Sequence, residues 1–143
     1  MRNKLKIILA GSIIMMLALG MSTINTSPPS NTVNLSILKV DGVWKVVQSA
    51  DHKNFKVKVK KNTKIIWTAH GSDVSFQFPN FLFSPVDAQD TLISSSTKFL
   101  KNGKKLKLMV KSYAPSGTFE YAVFCTTDGA FAIGGSPPKI IIE

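Results

Sequence analysis

Two stretches of this chain alternate lysine with apolar side chains almost residue by residue, FKVKVKK over residues 55–61 and KKLKLMVK over residues 104–111. A repeat of two places successive side chains on opposite faces of an extended strand, so each stretch has one oily face and one wet one. A helix cannot satisfy this pattern, because its faces recur every three to four residues. In the first stretch Phe55, Val57 and Val59 are expected to point inward, opposite Lys56, Lys58 and Lys60. In the second, Leu106, Leu108 and Val110 oppose Lys105, Lys107 and Lys111.

Further short alternating runs predict strands over residues 35–40, 43–48, 64–68, 74–78, 118–124 and 139–142, separated by turn signals. Asp41-Gly42 between two apolar runs is a hairpin signal, and Asn102-Gly103 precedes the strand that starts at Lys105. Residues 87–94 are expected to form at most a short helical turn in a long loop. No internal repeat is present. The spacing predicts an all-β sandwich or barrel.

The N-terminus carries a different kind of signal. Arg2, Lys4 and Lys6 precede an apolar run from Ile7 to Met21 interrupted only by Gly11, Ser12 and Gly20, and Ala18-Leu19-Gly20 places small residues where a signal peptidase reads. The run falls short of the roughly 20 residues that span a bilayer, so residues 1–20 are expected to be a cleaved signal peptide rather than an anchor. Residues 21–33, rich in Ser, Thr, Asn and Pro, read as a disordered tether, and residues 34–143 as the folded domain. The expected location is the periplasm or the cell exterior, with no stable membrane span left after cleavage.

Beyond residue 20 the chain has 15 Lys, no Arg and 8 acidic residues, a net charge of +7. Bidentate recognition of phosphates and guanine edges favours the planar Arg fork, so nucleic acid is not the expected partner. The Lys rows have two readings. They are a solvated sheet face that discourages edge-to-edge association, or a basic surface, Lys56, Lys58, Lys60, Lys105, Lys107 and Lys111, for an acidic protein, anionic lipid or wall polymer.

One cysteine, Cys125, excludes an internal disulfide and reads either as a small buried hydrophobe or as a reactive or ligating thiol. No paired acid and base, nucleophile elbow, phosphate-binding Gly loop or recognised zinc spacing is present, so no enzymatic activity is expected. Trp44, Trp67, Phe76 and Phe78 are expected in the core. Phe81 and Phe83, after Pro79-Asn80, are expected in a loop that covers one end of the barrel. Gly134-Gly135-Ser136-Pro137-Pro138 reads as a structural turn before the last strand.

Taken in order, VKVKKNTKIIWTAHGSDVSFQFP and GTFEYAVFCTTDGAFAIGGSPPKIIIE resemble the two ligand-bearing halves of the cupredoxin family, of plastocyanin and amicyanin type. The resemblance implies a cupredoxin-like Greek-key β-sandwich. It also implies four copper-ligand positions at one pole. The first His position, four residues before Phe76 and followed by an acidic residue, holds Ser72 and then Asp73. The cysteine position holds Cys125, the second His position holds Asp128, and no Met follows.

A type 1 copper centre needs two imidazoles and a thiolate with a weak axial sulfur. A hydroxyl and a hard carboxylate do not replace imidazoles, so no cofactor is expected and the site reads as vestigial. His70, two residues before Ser72, is displaced by roughly 6–7 Å along an extended chain. His52, in an Asp-His-Lys turn, reads as a solvated loop residue. The expected function is that of an exported, monomeric binding or structural accessory acting on an envelope or extracellular partner. The alternative is a redox or copper-handling protein with a nonstandard site around Cys125 and His70, with Asp73 and Asp128 nearby.

Overall fold

The computed structural model describes residues 31–86 and 96–143. The expected signal peptide, most of the tether and the helical turn expected over 87–94 lie outside the described residues. The described residues form twelve strands and no helix.

Strands β1 (Thr32–Val40), β2 (Val43–Gln48), β4 (Lys64–Ala69), β6 (Phe83–Pro85) and β8 (Lys105–Val110) make one sheet in the order β2-β1-β4-β8-β6. β5 (Val74–Gln77), β7 (Thr97–Leu100), β10 (Ala122–Cys125) and β11 (Ala130–Phe131) make a second in the order β11-β10-β5-β7. β3 (Val57–Val59), β12 (Lys139–Ile142) and β9 (Gly117–Glu120) make a third in the order β3-β12-β9. β9 and β10 follow one another with a break at Tyr121, whose N–H turns aside to the carbonyl of Pro138 at 3.0 Å. Two pairings are parallel, β1 with β4 and β3 with β12, and each joins strands that are not consecutive. This is the all-β architecture that the strand spacing implied.

The alternation settles which side chains fill it. Leu35 and Ile37 of β1, Ile65 and Trp67 of β4, and Leu108 and Val110 of β8 point inward to meet Val74 and Phe76 of β5, Val123 of β10 and Ile140 of β12. Trp67 is the hub. Its ring lies 5.3 Å from Phe78, 5.9 Å from Phe83, 6.0 Å from Phe76 and 6.1 Å from Tyr121, mostly edge-on. That geometry suits the aromatic quadrupole and adds to the area each ring removes from water. The Trp67 indole N–H donates to the Tyr121 hydroxyl at 3.2 Å, so the two polar atoms carried into the core satisfy each other.

The first hairpin forms as its Asp-Gly predicts. Val40 pairs with Val43, and Asp41 and Gly42 take φ of 51° and 78°, the left-handed pair that a two-residue turn needs to match strand twist. β1 starts at Thr32, earlier than the boundary expected at Asn34, because Thr32 and Val33 pair with Lys64 and Ile65.

Three expectations are corrected. The strand expected from residue 55 is confined to Val57–Val59, and Phe55 lies outside it, 44% exposed, against the backbone of Gly135. Phe83 belongs to the core, in β6 beside Trp67, rather than to a loop. Phe81 is exposed and packs on Phe119 at 5.8 Å. Neither residue covers the pole that holds Ser72 and Cys125. β5 leaves that pole at Val74, opposite Cys125, and reaches the far end at Gln77, so the segment after it is at the opposite end.

Candidate functional site

Three loops meet at the pole implied by the family resemblance: residues 70–73 between β4 and β5, residues 101–104 between β7 and β8, and residues 126–129 between β10 and β11. Cys125 ends β10 opposite Val74 and belongs to the inward row with Tyr121 and Val123. Its side chain is fully buried. Burial pushes the thiol up to about 11, with the nearby Asp128 carboxylate adding to the effect, because both disfavour a thiolate.

Ser72, which the resemblance sets at the first imidazole position, is 2% exposed. Its hydroxyl donates to the carbonyl of Asp73 at 2.6 Å and accepts the N–H of Thr127 at 3.1 Å. The same carbonyl of Asp73 accepts the N–H of Thr126 at 3.0 Å and its hydroxyl at 3.1 Å. Thr127 returns a hydroxyl hydrogen bond to the carbonyl of Gly71 at 3.3 Å. The first and last loops are therefore stitched together through Ser72, Asp73, Thr126 and Thr127.

The Asp73 carboxylate faces the middle loop, residues 101–104. It accepts the N–H of Asn102 at 2.8 Å and has Lys101 Nζ at 3.7 Å, while the Asn102 side-chain carbonyl accepts the N–H of Gly71 at 2.8 Å. Asp73 is thus a loop clamp.

Asp128, which the resemblance sets at the second imidazole position, is held from another direction. One carboxylate oxygen accepts the indole N–H of Trp44 at 2.6 Å and lies 2.7 Å from Lys39 Nζ. Hydrogen bonds from Lys39 and from Trp44 lower the carboxyl below its ordinary value, against a smaller desolvation effect. Trp44 is a core anchor as expected, and it is also a polar contact of this pole. A buried indole N–H needs an acceptor, which is the one sequence signal that could have raised the question. The partner's identity could not have been found, since Lys39 and Trp44 flank the first hairpin and Asp128 is near the other end of the chain.

His70 is not part of this assembly. It is exposed, its N–H is given to the carbonyl of Ile37 at 2.9 Å, and it lines an open concavity of mixed polarity with Ser36, Leu38, Thr68, Lys105 and His52. Ser72, Asp73, Cys125 and Asp128 are brought to one pole, and His70 leaves it toward the five-stranded sheet. Among the described residues no three His, Cys, Asp or Glu side chains are gathered as a metal-holding set.

The donor chemistry can be tested against type 1 copper directly. Such a centre takes a thiolate and two imidazole nitrogens. Here the thiol is buried and resists ionisation, the hydroxyl of Ser72 is used in both directions, and the Asp128 carboxylate is taken by an ammonium and an indole. The residues at the pole do not fit that ion.

The two Lys rows leave the molecule from different sheets. Lys58 lies on β3 and carries Glu143 at 3.4 Å, with Lys56 and Lys60 flanking it, all exposed. Lys105 and Lys107 lie on the outer face of β8, and Lys111 follows it with its ammonium 5.4 Å from the Tyr113 ring centre.

No family signature matches the sequence, and no curated protein is similar to it at the sequence level. Among solved structures the chain is similar to mutant forms of amicyanin. A Cu(I) form shares 12% identity at a TM-score of 0.40 over 80% of this chain and 95% of that one. A reduced form shares 10% identity at 0.40 over 83% and 87%. An oxidised form shares 12% identity at 0.39 over the same shares. Likeness this distant leaves the chemistry of the pole to be read from its own residues.

Proposed function

We propose that this protein is an exported, non-enzymatic binding or structural accessory whose cupredoxin-like pole is closed by hydrogen bonds rather than by copper. The observation that carries this reading is the Ser72 hydroxyl. It is buried at the position that the family resemblance gives to a first ligand, and it joins two loops by donating within its own and accepting from the other. A metal would do the same mechanical work of tying these loops together. With Ser72, Asp73, Thr126 and Thr127 doing so, the domain holds its shape as a monomer with no bound cofactor, and its surfaces are free to serve a partner in the envelope or outside the cell.

The deciding experiment is a Cu(II) titration of the purified protein. The expected result is no intense visible thiolate-to-copper absorption and an unchanged thermal transition. A blue protein, or one stabilised in proportion to added copper, refutes the reading. Export is tested separately by N-terminal sequencing of protein from the cell envelope or medium, with Met21 expected as the first residue. A chain retained with its leader intact would overturn that half.

A further inference from the structure

A concavity of about 450 Å³ lies between β2, the loop from Ser49 to Lys56 and the loop from Ile133 to Ser136. Its volume falls in the range of small-molecule sites, roughly 300–1,000 Å³. Val40, Phe55 and Ile133 give it an apolar lining over the buried Val46 and Val47 of β2, and Phe55 and Ile133 are large side chains left exposed at its opening. Lys45, Lys53 and His52 also line it, against one carboxylate, Asp41. Among the described residues neither the Lys45 nor the Lys53 ammonium has an acidic partner, although the Lys53 backbone N–H donates to the Asp51 carboxylate at 3.0 Å.

The walls are fixed before any ligand arrives. Ile133 is tied to β2 in both directions, its N–H donating to the Trp44 carbonyl at 2.9 Å and its carbonyl accepting the Val46 N–H at 2.8 Å. The loop that carries His52, Lys53 and Phe55 is pinned by Gln48, whose N–H donates to the Asn54 carbonyl at 2.8 Å and whose side-chain amide donates to the Lys56 carbonyl at 2.9 Å. Gly135, at φ 81°, lets the Phe55 ring approach so closely that a Cβ there would lie 3.2 Å from it. A preformed apolar hollow loses less on binding than one that must be ordered.

We infer that this hollow binds a small monoanionic amphiphile, a free acid in solution with a compact apolar body, whose tail lies against Val40, Phe55 and Ile133 and whose anionic head meets Lys45 and Lys53. A neutral ligand would leave both ammonium groups unanswered, and a cationic one would face them. The site is separate from the Ser72–Cys125 pole, so its failure leaves the reading of that pole untouched.

The test uses the whole protein with the fluorescent anion 1-anilinonaphthalene-8-sulfonate as probe and octanoate, octanol and octyltrimethylammonium as competitors. Saturable probe binding is expected, with octanoate displacing it about tenfold more effectively than octanol, as one charge-assisted contact implies. Lys45→Gln/Lys53→Gln, two surface changes checked for folding by circular dichroism, brings octanoate to within about twofold of octanol. Lys56→Gln/Lys58→Gln leaves the tenfold preference in place. In the unsubstituted protein, octanoate shifts the Ile133 methyl resonances, which keeps the proposal testable should the double variant misfold. Equal competition by octanol and octanoate overturns the inference, as does an octanoate preference that survives loss of Lys45 and Lys53. Sedimentation with anionic phospholipid vesicles while octanoate leaves the probe in place assigns the patch to membranes instead and also overturns it.

Discussion

Replacing Ser72 with Ala asks how much the stitched pole contributes. The substitution leaves a methyl where a hydroxymethyl stood, so it opens little space and removes two hydrogen bonds, one to the Asp73 carbonyl and one from the Thr127 N–H. A net intramolecular hydrogen bond contributes about 0.5–1.5 kcal/mol. The Asp73 carbonyl keeps two other donors, both from Thr126, so its loss lies at the low end. The Thr127 N–H loses its acceptor, but Thr127 is exposed and water can reach it. The sum is a destabilisation of about 1–2 kcal/mol, or a fall in melting temperature of roughly 4–8 °C per kcal/mol in domains near this size. Denaturant unfolding at neutral pH measures it, and amide exchange at Thr127 locates it, with protection there expected to fall before that of Val123. A loss under about 0.5 kcal/mol with unchanged exchange at Thr127 would refute the view that this hydroxyl holds the loops.

Tyr121→Phe strips the Trp67 indole of its partner inside the core and should cost about 1–3 kcal/mol, whereas adding Trp67→Phe should cost less than the two single changes combined, which a double-mutant cycle measures. Strictly additive losses would show that the pair is not coupled. The Asp128 carboxyl is lowered, so the stability it contributes is complete above its unfolded value of about 3.9 and is lost as pH falls through the lower folded value. The Trp44 indole N–H resonance should follow that titration, Asp128→Asn should abolish it, and a midpoint at or above the unfolded value would contradict the contact. With its thiol pushed up to about 11 and buried, Cys125 should react with a disulfide reagent at pH 8 only in denaturant, and rapid modification of the native protein would show the pole to be open.

How far the sequence disclosed this depends on whether the information was local. β2, β8 and β12 occupy the residues expected of them because each is a clean alternation bounded by turn residues. β7 was illegible for the opposite reason: in TKFL the Phe99 ring points to solvent and Lys98 is half-buried, so hydrophobicity runs against the pleat. β6 is three residues containing Ser84 and Pro85, too short for a period to register. The single strand expected over 118–124 is broken at Tyr121 by a hydrogen bond to Pro138, a distant residue that no window would include. Phe81 and Phe83 were misplaced because local chemistry cannot say which end of a sandwich a loop follows. At the pole, Ser72, Asp73, Cys125 and Asp128 were found by their spacing within the family pattern. The stitches through Thr126 and Thr127 and the Lys39–Asp128–Trp44 contact were not, since backbone donors and tertiary partners leave no mark on composition.

The parallel pairing of β12 with β3 has a kinetic consequence. Ile140 must find Val57 across most of the domain, and β12 also supplies the only partner of β9 in that sheet. Closing so long a loop is entropically unfavourable before any contact repays it, which places folding in the millisecond-to-second class, on the order of all-β sandwiches. Until β12 docks, neither β3 nor β9 has a partner in that sheet, whereas the five-stranded sheet built on the first hairpin needs no residue of it.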